Sequence, residues 1–240
     1  MGHKPTDVTA SLHPEDEGQP PYLYPDYVAT RLRAPKKPLI ILPRTLSDTT
    51  GPAYWRDPIG ELDNDLTSQH SGEPLGERII VTGRVLDGHG RPMRGSLIEI
   101  WQANAAGRYT HHLDRHPAPL DPNFSGAGRC LTDDEGRYRF VTIKPGAYPW
   151  KNHHNAWRPA HIHLSLFGSS LRSRLITQMY FPGDPLFEQD PIFQSVRDPK
   201  ARKRMISTFD LETTEPEWAL GYKFDIVIEG RDATPLEGRR

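Results

Sequence analysis

The chain has 240 residues, enough for one substantial hydrophobic core, so we expect a single structural domain. Its 30 lysines and arginines nearly balance 31 aspartates and glutamates, and the net charge of -1 gives no basic excess for binding nucleic acid or an anionic membrane. The single cysteine, Cys130, excludes an internal disulfide and a thiolate cluster, and we expect it to be a small buried residue in a reducing compartment.

Residues 1 to 75 are polar and punctuated by prolines, with short apolar pieces such as PLIILP (38 to 43). This pattern predicts an extended arm with little regular structure, and such an arm usually lies on another surface, here a subunit contact. Neither a secretory signal nor a stretch of membrane-spanning length is present, so the sequence predicts a cytoplasmic protein without a membrane contact.

Residues 76 to 240 predict a β-sheet domain, because short β-branched and apolar runs alternate here with turns. ERIIVTGRVLD and SLIEIWQA flank the turn GHGRP, DDEGR (133 to 137) precedes YRFVTI, and RLITQMYF and YKFDIVIEG follow later. Only DPKARKRMISTFDL (198 to 211) predicts a helix, with Asp198 as its N-cap and Pro199 at its first position. Many strands and few short helices indicate a mainly β fold, a sandwich or a barrel.

The segment WRPAHIHL (157 to 164) contains two histidines one residue apart. In a strand, side chains alternate between faces, so one face carries His161, His163 and Ser165, and the other carries Ile162, Leu164 and Leu166. Two imidazoles on one rigid strand can approach the same metal ion. The pattern by itself leaves open a metal site or two hydrogen-bonded structural histidines.

Several ways of completing a two-histidine site fail in this sequence. Residues 164 to 168 contain no carboxylate for a cupin-like site, Ser165 and Leu166 stand where a metallo-hydrolase pattern needs aspartate and histidine, and one predicted helix is too few for an amidohydrolase barrel. A facial triad completed by Asp133 or Asp134 stays open. Tyr109 and Tyr148 are further candidates, and since phenol has a pKa near ~10, only a strong Lewis acid such as Fe(III) would favour their ionised form.

Four segments carry a family resemblance: GERIIVTGRVLD, WQANAAGRY, LDPNFSGAGRCLTDDEGRYRFVTIKPGAYPW and WRPAHIH. Together they resemble the intradiol ring-cleaving dioxygenases, and in particular the β chains of those members that act on protocatechuate. The resemblance runs from LSDTTGP (46 to 52) through DNDL (63 to 66) to TQMYFPGDP and FDIVIEGR, and leaves out the first twenty or so residues and the last few. It implies an antiparallel β-sandwich of the prealbumin type, with residues 76 to 240 as the catalytic domain.

The resemblance also implies roles for individual residues. Matched residue by residue, the ligands of one Fe(III) per chain fall on Tyr109, Tyr148, His161 and His163, with Tyr148 and His163 as the axial pair. Tyr148 is then a ligand that also serves as a base, and Arg158 stabilises negative charge on the substrate with help from Gln178. The substrate-binding positions are Tyr27, Trp150, Arg158, Gln178 and Ile192.

The activity implied is cleavage of protocatechuate (3,4-dihydroxybenzoate) by O2 to 3-carboxy-cis,cis-muconate, within the β-ketoadipate pathway of aromatic catabolism, without an external reductant. A β chain implies an α chain as partner, with the active site at their interface. The alternatives are a catechol or hydroxyquinol 1,2-dioxygenase and a non-catalytic sandwich subunit or binding module. We expect His111, His112, His116, His153 and His154 to be solvated loop residues.

Overall fold

The computed structural model describes residues 18–40, 58–168 and 174–238. The strands described are β1 Arg78–Leu86, β2 Leu97–Gln102, β3 Ala127–Leu131, β4 Arg137–Ile143, β5 Tyr148–Trp150, β6 Ala156–Arg158, β7 His161–Phe167, β8 Leu175–Tyr180, β9 Thr208–Phe209, β10 Leu220–Lys223 and β11 Ile226–Val227. The helices described are α1 Ala29–Arg33, α2 Pro191–Ser195 and α3 Pro199–Lys203, with a 3-10 turn at Phe187–Gln189. The mainly β class predicted from the sequence is confirmed.

Two sheets form the sandwich. One has the order β3-β2-β7-β8, and all of its pairs are antiparallel. In the other sheet, β1 lies between β4 and the strands β10 and β11. It is antiparallel to β4, and its two ends pair in parallel with β10 and then β11. β9 extends this sheet beyond β10, and β5 and β6 form a separate two-stranded ribbon. The sandwich is therefore antiparallel apart from the two pairings at the C-terminal end of the chain.

The hydrophobic core lies between the two sheets. A single buried cluster includes Ile79, Phe140 and Tyr222 from the five-stranded sheet and Ile98, Leu164 and Leu166 from the four-stranded sheet. Burial of a large aliphatic or aromatic side chain contributes about 1.5–3 kcal/mol each, so this cluster is the main source of the fold's stability. Cys130 belongs to the same cluster, as expected, and burial raises the pKa of its thiol to about 12.

β7 carries the predicted alternation. Ile162, Leu164 and Leu166 lie in the core cluster, while the rings of His161 and His163 lie 4.9 Å apart on the opposite face. Both faces of the strand are nevertheless buried, so the histidine face is covered by other parts of the chain. The strand's apolar face thus anchors a pair of imidazoles inside an enclosed site.

The predicted helix over residues 198 to 211 is wrong in length. Asp198 does cap it, accepting hydrogen bonds from the backbone N–H groups of Lys200 and Ala201, but the helix ends at Lys203. Beyond it, Ile206 forms a bridge with Tyr180, and Thr208 and Phe209 pair with β10. The β-branched Ile206 and Thr208 favour extended backbone, and pairing with neighbouring strands decides the outcome.

The described part of residues 1–75 is mostly irregular and contacts the β-sandwich. Residues 18–40 contain only the helix α1. Leu66 is fully buried in the core cluster, and its backbone N–H donates to the carbonyl of Val141. The division of the chain at residue 75 stays a prediction, and LSDTTGP lies outside the described residues. Within the described ranges, no helix has the length and apolar character needed to cross a bilayer.

Candidate metal centre

Three of the predicted ligands meet at one point. The Oη of Tyr109 lies 3.3 Å from Nε2 of His161 and 3.2 Å from Nε2 of His163. The rings of Tyr109 and Tyr148 are in contact edge to face, with centroids 4.9 Å apart. The structure therefore brings together two phenols and two imidazoles that come from three separate segments of the chain.

The loops that carry the two tyrosines are tied to each other through Asn104. Its carbonyl accepts hydrogen bonds from the backbone N–H of Gly107 and of Gly146. Its side-chain oxygen accepts from the N–H groups of Ala106 and Arg108, which shapes the turn leading to Tyr109. Gly107 has a φ of 75° and lies against the loop of Gly146, where a side chain would not fit. The position of Tyr148 relative to Tyr109 is thus set by backbone hydrogen bonds.

The outer nitrogen of each histidine has its own acceptor. His161 Nδ1 lies 2.7 Å from the carbonyl oxygen of Pro159, and His163 Nδ1 lies 2.8 Å from Oε2 of Glu237. Because a carbonyl and a carboxylate accept hydrogen bonds, both rings carry their proton on Nδ1 and direct the lone pair of Nε2 towards Tyr109. The indole of Trp101 stacks on the His163 ring at 4.7 Å and holds its plane.

The surroundings of Tyr109, Tyr148 and His161 favour the neutral form of each side chain. Burial raises the pKa of Tyr109 well above its usual value, against the opposing effect of the Arg158 charge. Burial also raises the pKa of Tyr148, and Asp114 adds to this rise. The pKa of His161 is held well below its usual range by burial and then by the neighbouring Arg158 cation. The His161 imidazole is therefore available as a ligand, whereas the phenols need a Lewis acid to ionise.

The donor set fits a metal ion. Ligand atoms that lie about 2 Å from a common ion are separated by roughly 3 Å, as Tyr109 Oη is from both Nε2 atoms. Two phenol oxygens with two imidazoles suit hard, trivalent iron better than zinc. Among the described residues, no three His, Cys, Asp or Glu side chains are placed to share a metal. Of the two candidates for completing a facial triad, Asp133 accepts instead from N–H groups of its own turn, and Asp134 is exposed in the same turn.

Arg158 lies beside this donor set in a buried polar network. Its Nη1 is 3.0 Å from His161 Nε2, and its Nη2 donates to Gln178 Oε1 at 2.6 Å and to the Tyr180 hydroxyl at 2.9 Å. Asp190 neutralises the guanidinium, with Nη2 and Oδ2 3.0 Å apart. A fixed, desolvated cation next to a charge-developing centre stabilises negative charge strongly.

The predicted pocket residues differ in how directly they contact Arg158. Arg158 lies over the Trp150 ring at 5.5 Å from its centroid, and Tyr27 contacts the same ring edge on at 5.6 Å. Ile192 is buried and connects to the network only through its backbone N–H, which donates to Asp190. The indole nitrogen of Trp150 is buried and has no hydrogen-bond partner within the part of the chain described.

Sequence reasoning missed four residues of this site: Trp101, Tyr180, Asp190 and Glu237. Asp190 precedes a proline at the start of α2, where an N-cap could have been read from the sequence, but nothing indicated that its carboxylate faces Arg158. Glu237 lies in the C-terminal residues that the family resemblance left out. His111, His112, His153 and His154 are exposed, as predicted, and His116 is partly so.

Comparison with known proteins places the chain in a class. A family model described as Dioxygenase matches residues 49–230, and a model described as Protocatechuate 3,4-dioxygenase beta subunit N terminal matches residues 13–45. The 3-chlorocatechol 1,2-dioxygenase of Rhodococcus opacus 1CP shares the fold, with a TM-score of 0.54 at 23% identity over 75% of this chain and 71% of that one. The chain belongs to the intradiol dioxygenase family.

Within that family, the chain is similar to both kinds of subunit of one enzyme. The chain is 61% identical to the protocatechuate 3,4-dioxygenase beta chain of Burkholderia cepacia, over 96% of this chain and 99% of that one. It is 30% identical to the protocatechuate 3,4-dioxygenase alpha chain of Pseudomonas putida, over 82% of this chain and 97% of that one. The resemblance inferred from the sequence motifs is confirmed.

Proposed function

We propose that the chain is the iron-bearing subunit of an enzyme that cleaves protocatechuate with O2 between its two hydroxylated carbons, giving 3-carboxy-cis,cis-muconate. The observation that carries this proposal is the convergence of the Tyr109 hydroxyl on both Nε2 atoms of the β7 histidines, at 3.3 and 3.2 Å. The 61% identical relative, a protocatechuate 3,4-dioxygenase beta chain, indicates the substrate. We place the enzyme in the cytoplasm, as its single unpaired cysteine favours.

One Fe(III) would be held by Tyr109, Tyr148, His161 and His163. When bound, it supplies the Lewis acidity that favours ionised phenols and an ionised catechol, and thereby makes the electron-rich ring open to O2. The atoms balance without a further reagent, because one oxygen atom of O2 ends in each of the two carboxylates formed by ring cleavage and the substrate supplies all the electrons. An external reductant is therefore not needed.

The chain's own residues would then move protons and stabilise charge. Tyr148 is only partly buried, whereas His161 is almost completely buried, so Tyr148 would be accessible to a substrate hydroxyl and would accept its proton. Arg158 forms an ion pair with Asp190 and stays positively charged, and it would stabilise negative charge that develops on the substrate. Gln178 holds one arm of the guanidinium in place through its Oε1. Trp150 and Tyr27 would form a wall of the pocket.

The assembly proposed is a complex with an α chain, with residues 1–75 as part of the subunit contact. Large apolar side chains are exposed in this region, with Leu32 at 87% and Ile40 at 82%. In the loop after Tyr109, Leu113 is also 67% exposed. Exposed apolar groups near a site favour a protein partner there. A chain that was monomeric, iron-replete and fully active by itself would rule out an obligate α chain.

The proposal is tested by the purified enzyme's colour and its oxygen consumption. We expect a red protein, since tyrosinate-to-iron charge transfer absorbs visible light, and one O2 consumed for each protocatechuate cleaved. Comparing kcat/KM for protocatechuate, catechol and hydroxyquinol separates the proposed substrate from the alternatives. A colourless iron-loaded protein would contradict the ligand assignment, and a preference for catechol or hydroxyquinol would contradict the substrate.

A further inference from the structure

The two histidines of β7 differ in what lies behind them. His161 donates its Nδ1 proton to a neutral carbonyl, that of Pro159, at 2.7 Å. His163 instead faces the carboxylate of Glu237 at 2.8 Å, and both side chains are largely buried, at 11% and 24% exposure. A carboxylate on the outer nitrogen fixes the tautomer of a metal-binding imidazole and makes its inner nitrogen a stronger donor. The two candidate ligands are therefore unequal.

Glu237 is held by the edge of the four-stranded sheet. Its backbone N–H donates to the carbonyl of Ile176, and the Thr177 hydroxyl donates to the carbonyl of Pro235. The side chain of Leu236 packs against the main core cluster. Because β8 is itself paired with β7, the tail and His163 are fixed on the same rigid sheet. Glu237 does not reach the site from a loose chain end.

The N-terminal arm secures the same tail from its other side. Gln19 Oε1 accepts a hydrogen bond from the backbone N–H of Leu236 at 2.8 Å, and its Nε2 donates to the carbonyl of Thr234 at 3.4 Å. A side-chain amide that bonds both a donor and an acceptor of one segment aligns it as a neighbouring strand would. Two segments more than two hundred residues apart in sequence thus meet behind one candidate metal ligand.

We infer that Glu237 is a positioning residue, which orients His163 for metal binding and strengthens it as a donor, and that Gln19 contributes by holding the tail in place. The effect on iron binding rests on the proposed function. The hydrogen bond between His163 and Glu237, from which the inference is drawn, does not depend on a metal. Glu237 acts through His163 and is not assigned a contact with substrate.

The first test measures iron retention in Glu237→Ala and Glu237→Gln, in the assembly in which the full chain purifies. We expect iron affinity about 10–100-fold weaker in Glu237→Ala, as for other outer partners of metal-bound histidine, and a smaller loss in Glu237→Gln, which keeps an acceptor oxygen. The tyrosinate-to-iron absorption band should also shift, because it reports on the ligand field and not on folding. Glu212→Gln, at an exposed position, is the matched control.

A double-mutant cycle tests the contribution of the arm. If Gln19 acts through the tail, Gln19→Ala weakens iron retention in the wild-type background and adds nothing to Glu237→Ala. Additive losses would overturn the Gln19 part of the inference. Iron affinity in Glu237→Ala equal to that of the wild type and of the Glu212→Gln control would overturn the whole.

A measurement on the metal-free protein separates this inference from the proposed function. The ¹⁵N shifts of the His163 ring report which nitrogen carries the proton, and we expect Nδ1–H in the wild type and a mixture of tautomers in Glu237→Ala. A wild-type protein that takes up no iron would count against the proposed function alone. An unchanged tautomer in Glu237→Ala would overturn the positioning role whether or not iron binds.

Discussion

Arg158 and Asp190 form a buried ion pair, in which Nη2 and Oδ2 lie 3.0 Å apart and the side chains are 5% and 0% exposed. The pair joins the ribbon strand β6 to the start of α2, and Asp190 Oδ1 also caps α2 by accepting from the N–H of Ile192. An isolated charge in this position would be strongly unfavourable, so the carboxylate is what allows a permanent cation to stand beside the candidate metal centre.

Removing Asp190 should therefore destabilise the fold as well as the site. For Asp190→Ala we expect a loss of about 3–5 kcal/mol in the free energy of unfolding, because Arg158 is left buried without its counter-ion. Urea unfolding followed by circular dichroism measures this loss. Glu135→Ala is the matched control, since it breaks an exposed pair with Arg137 and should cost at most about 1 kcal/mol. Equal losses in the two variants would contradict the importance given to burial.

Tyr148→Phe should separate metal binding from proton transfer. Three candidate ligands remain in this variant, so we expect it to retain iron, while the rate of substrate binding falls because the phenolic oxygen that accepts a proton is gone. Stopped-flow absorption after mixing with protocatechuate measures this rate, and metal analysis measures the iron. Tyr222→Phe, in the core of the other sheet, serves as the control. Unchanged binding kinetics would remove Tyr148 from the proposed proton transfer.

Gly107→Ala should force apart the two tyrosine-bearing loops. A Cβ at this position would lie 2.0 Å from the carbonyl oxygen of Ala147, and the backbone φ of 75° is itself unfavourable for alanine. Gly90→Ala is a close control, because Gly90 has a φ of 78° and nothing within 4 Å of its Cβ position. We expect the control to cost about 1–2 kcal/mol for the backbone alone. Gly107→Ala should cost more and also lose iron, which urea titration and metal analysis measure; equal costs with iron retained would contradict the steric argument.

The turn after β1 should contribute a pH-dependent part of the stability. Hydrogen bonds from Arg91, above all from its backbone N–H, hold the pKa of Asp87 at about 2, below the 3.8 of a free aspartate. Because the folded-state pKa is the lower one, this stabilisation is present above pH 3.8 and is lost as the pH falls towards 2. Urea midpoints for Asp87→Asn should thus differ from the wild type above about pH 4 and converge below it. A constant difference from pH 2.5 to 5, or the same behaviour in the exposed Asp134→Asn control, would argue against this assignment.

Local patterns in the sequence were sufficient for the strands and for part of the site. The alternation in AHIHLSLF is a property of extended backbone, so it predicted that His161 and His163 share a face before any neighbour was known. The turns GHGRP and DDEGR were also predicted from local sequence, and in the structure Asp87 and Asp133 each accept hydrogen bonds from N–H groups two and four residues later. By contrast, the predicted helix over 198 to 211 failed after Lys203, where pairing with distant strands outweighs local propensity.

The sequence by itself determined the strands, the histidine pair and, through its motifs, the family and the identity of four candidate ligands. Only the tertiary structure decided which groups stand behind those ligands. Asp190 lies 32 residues from Arg158 and Glu237 lies 74 residues from His163, so no local pattern connects them. A buried charge or a donor N–H must find a partner, but which residue provides it depends on how the sheets and chain ends pack together. That dependence on packing is why the supporting groups of the site became visible only in the folded chain.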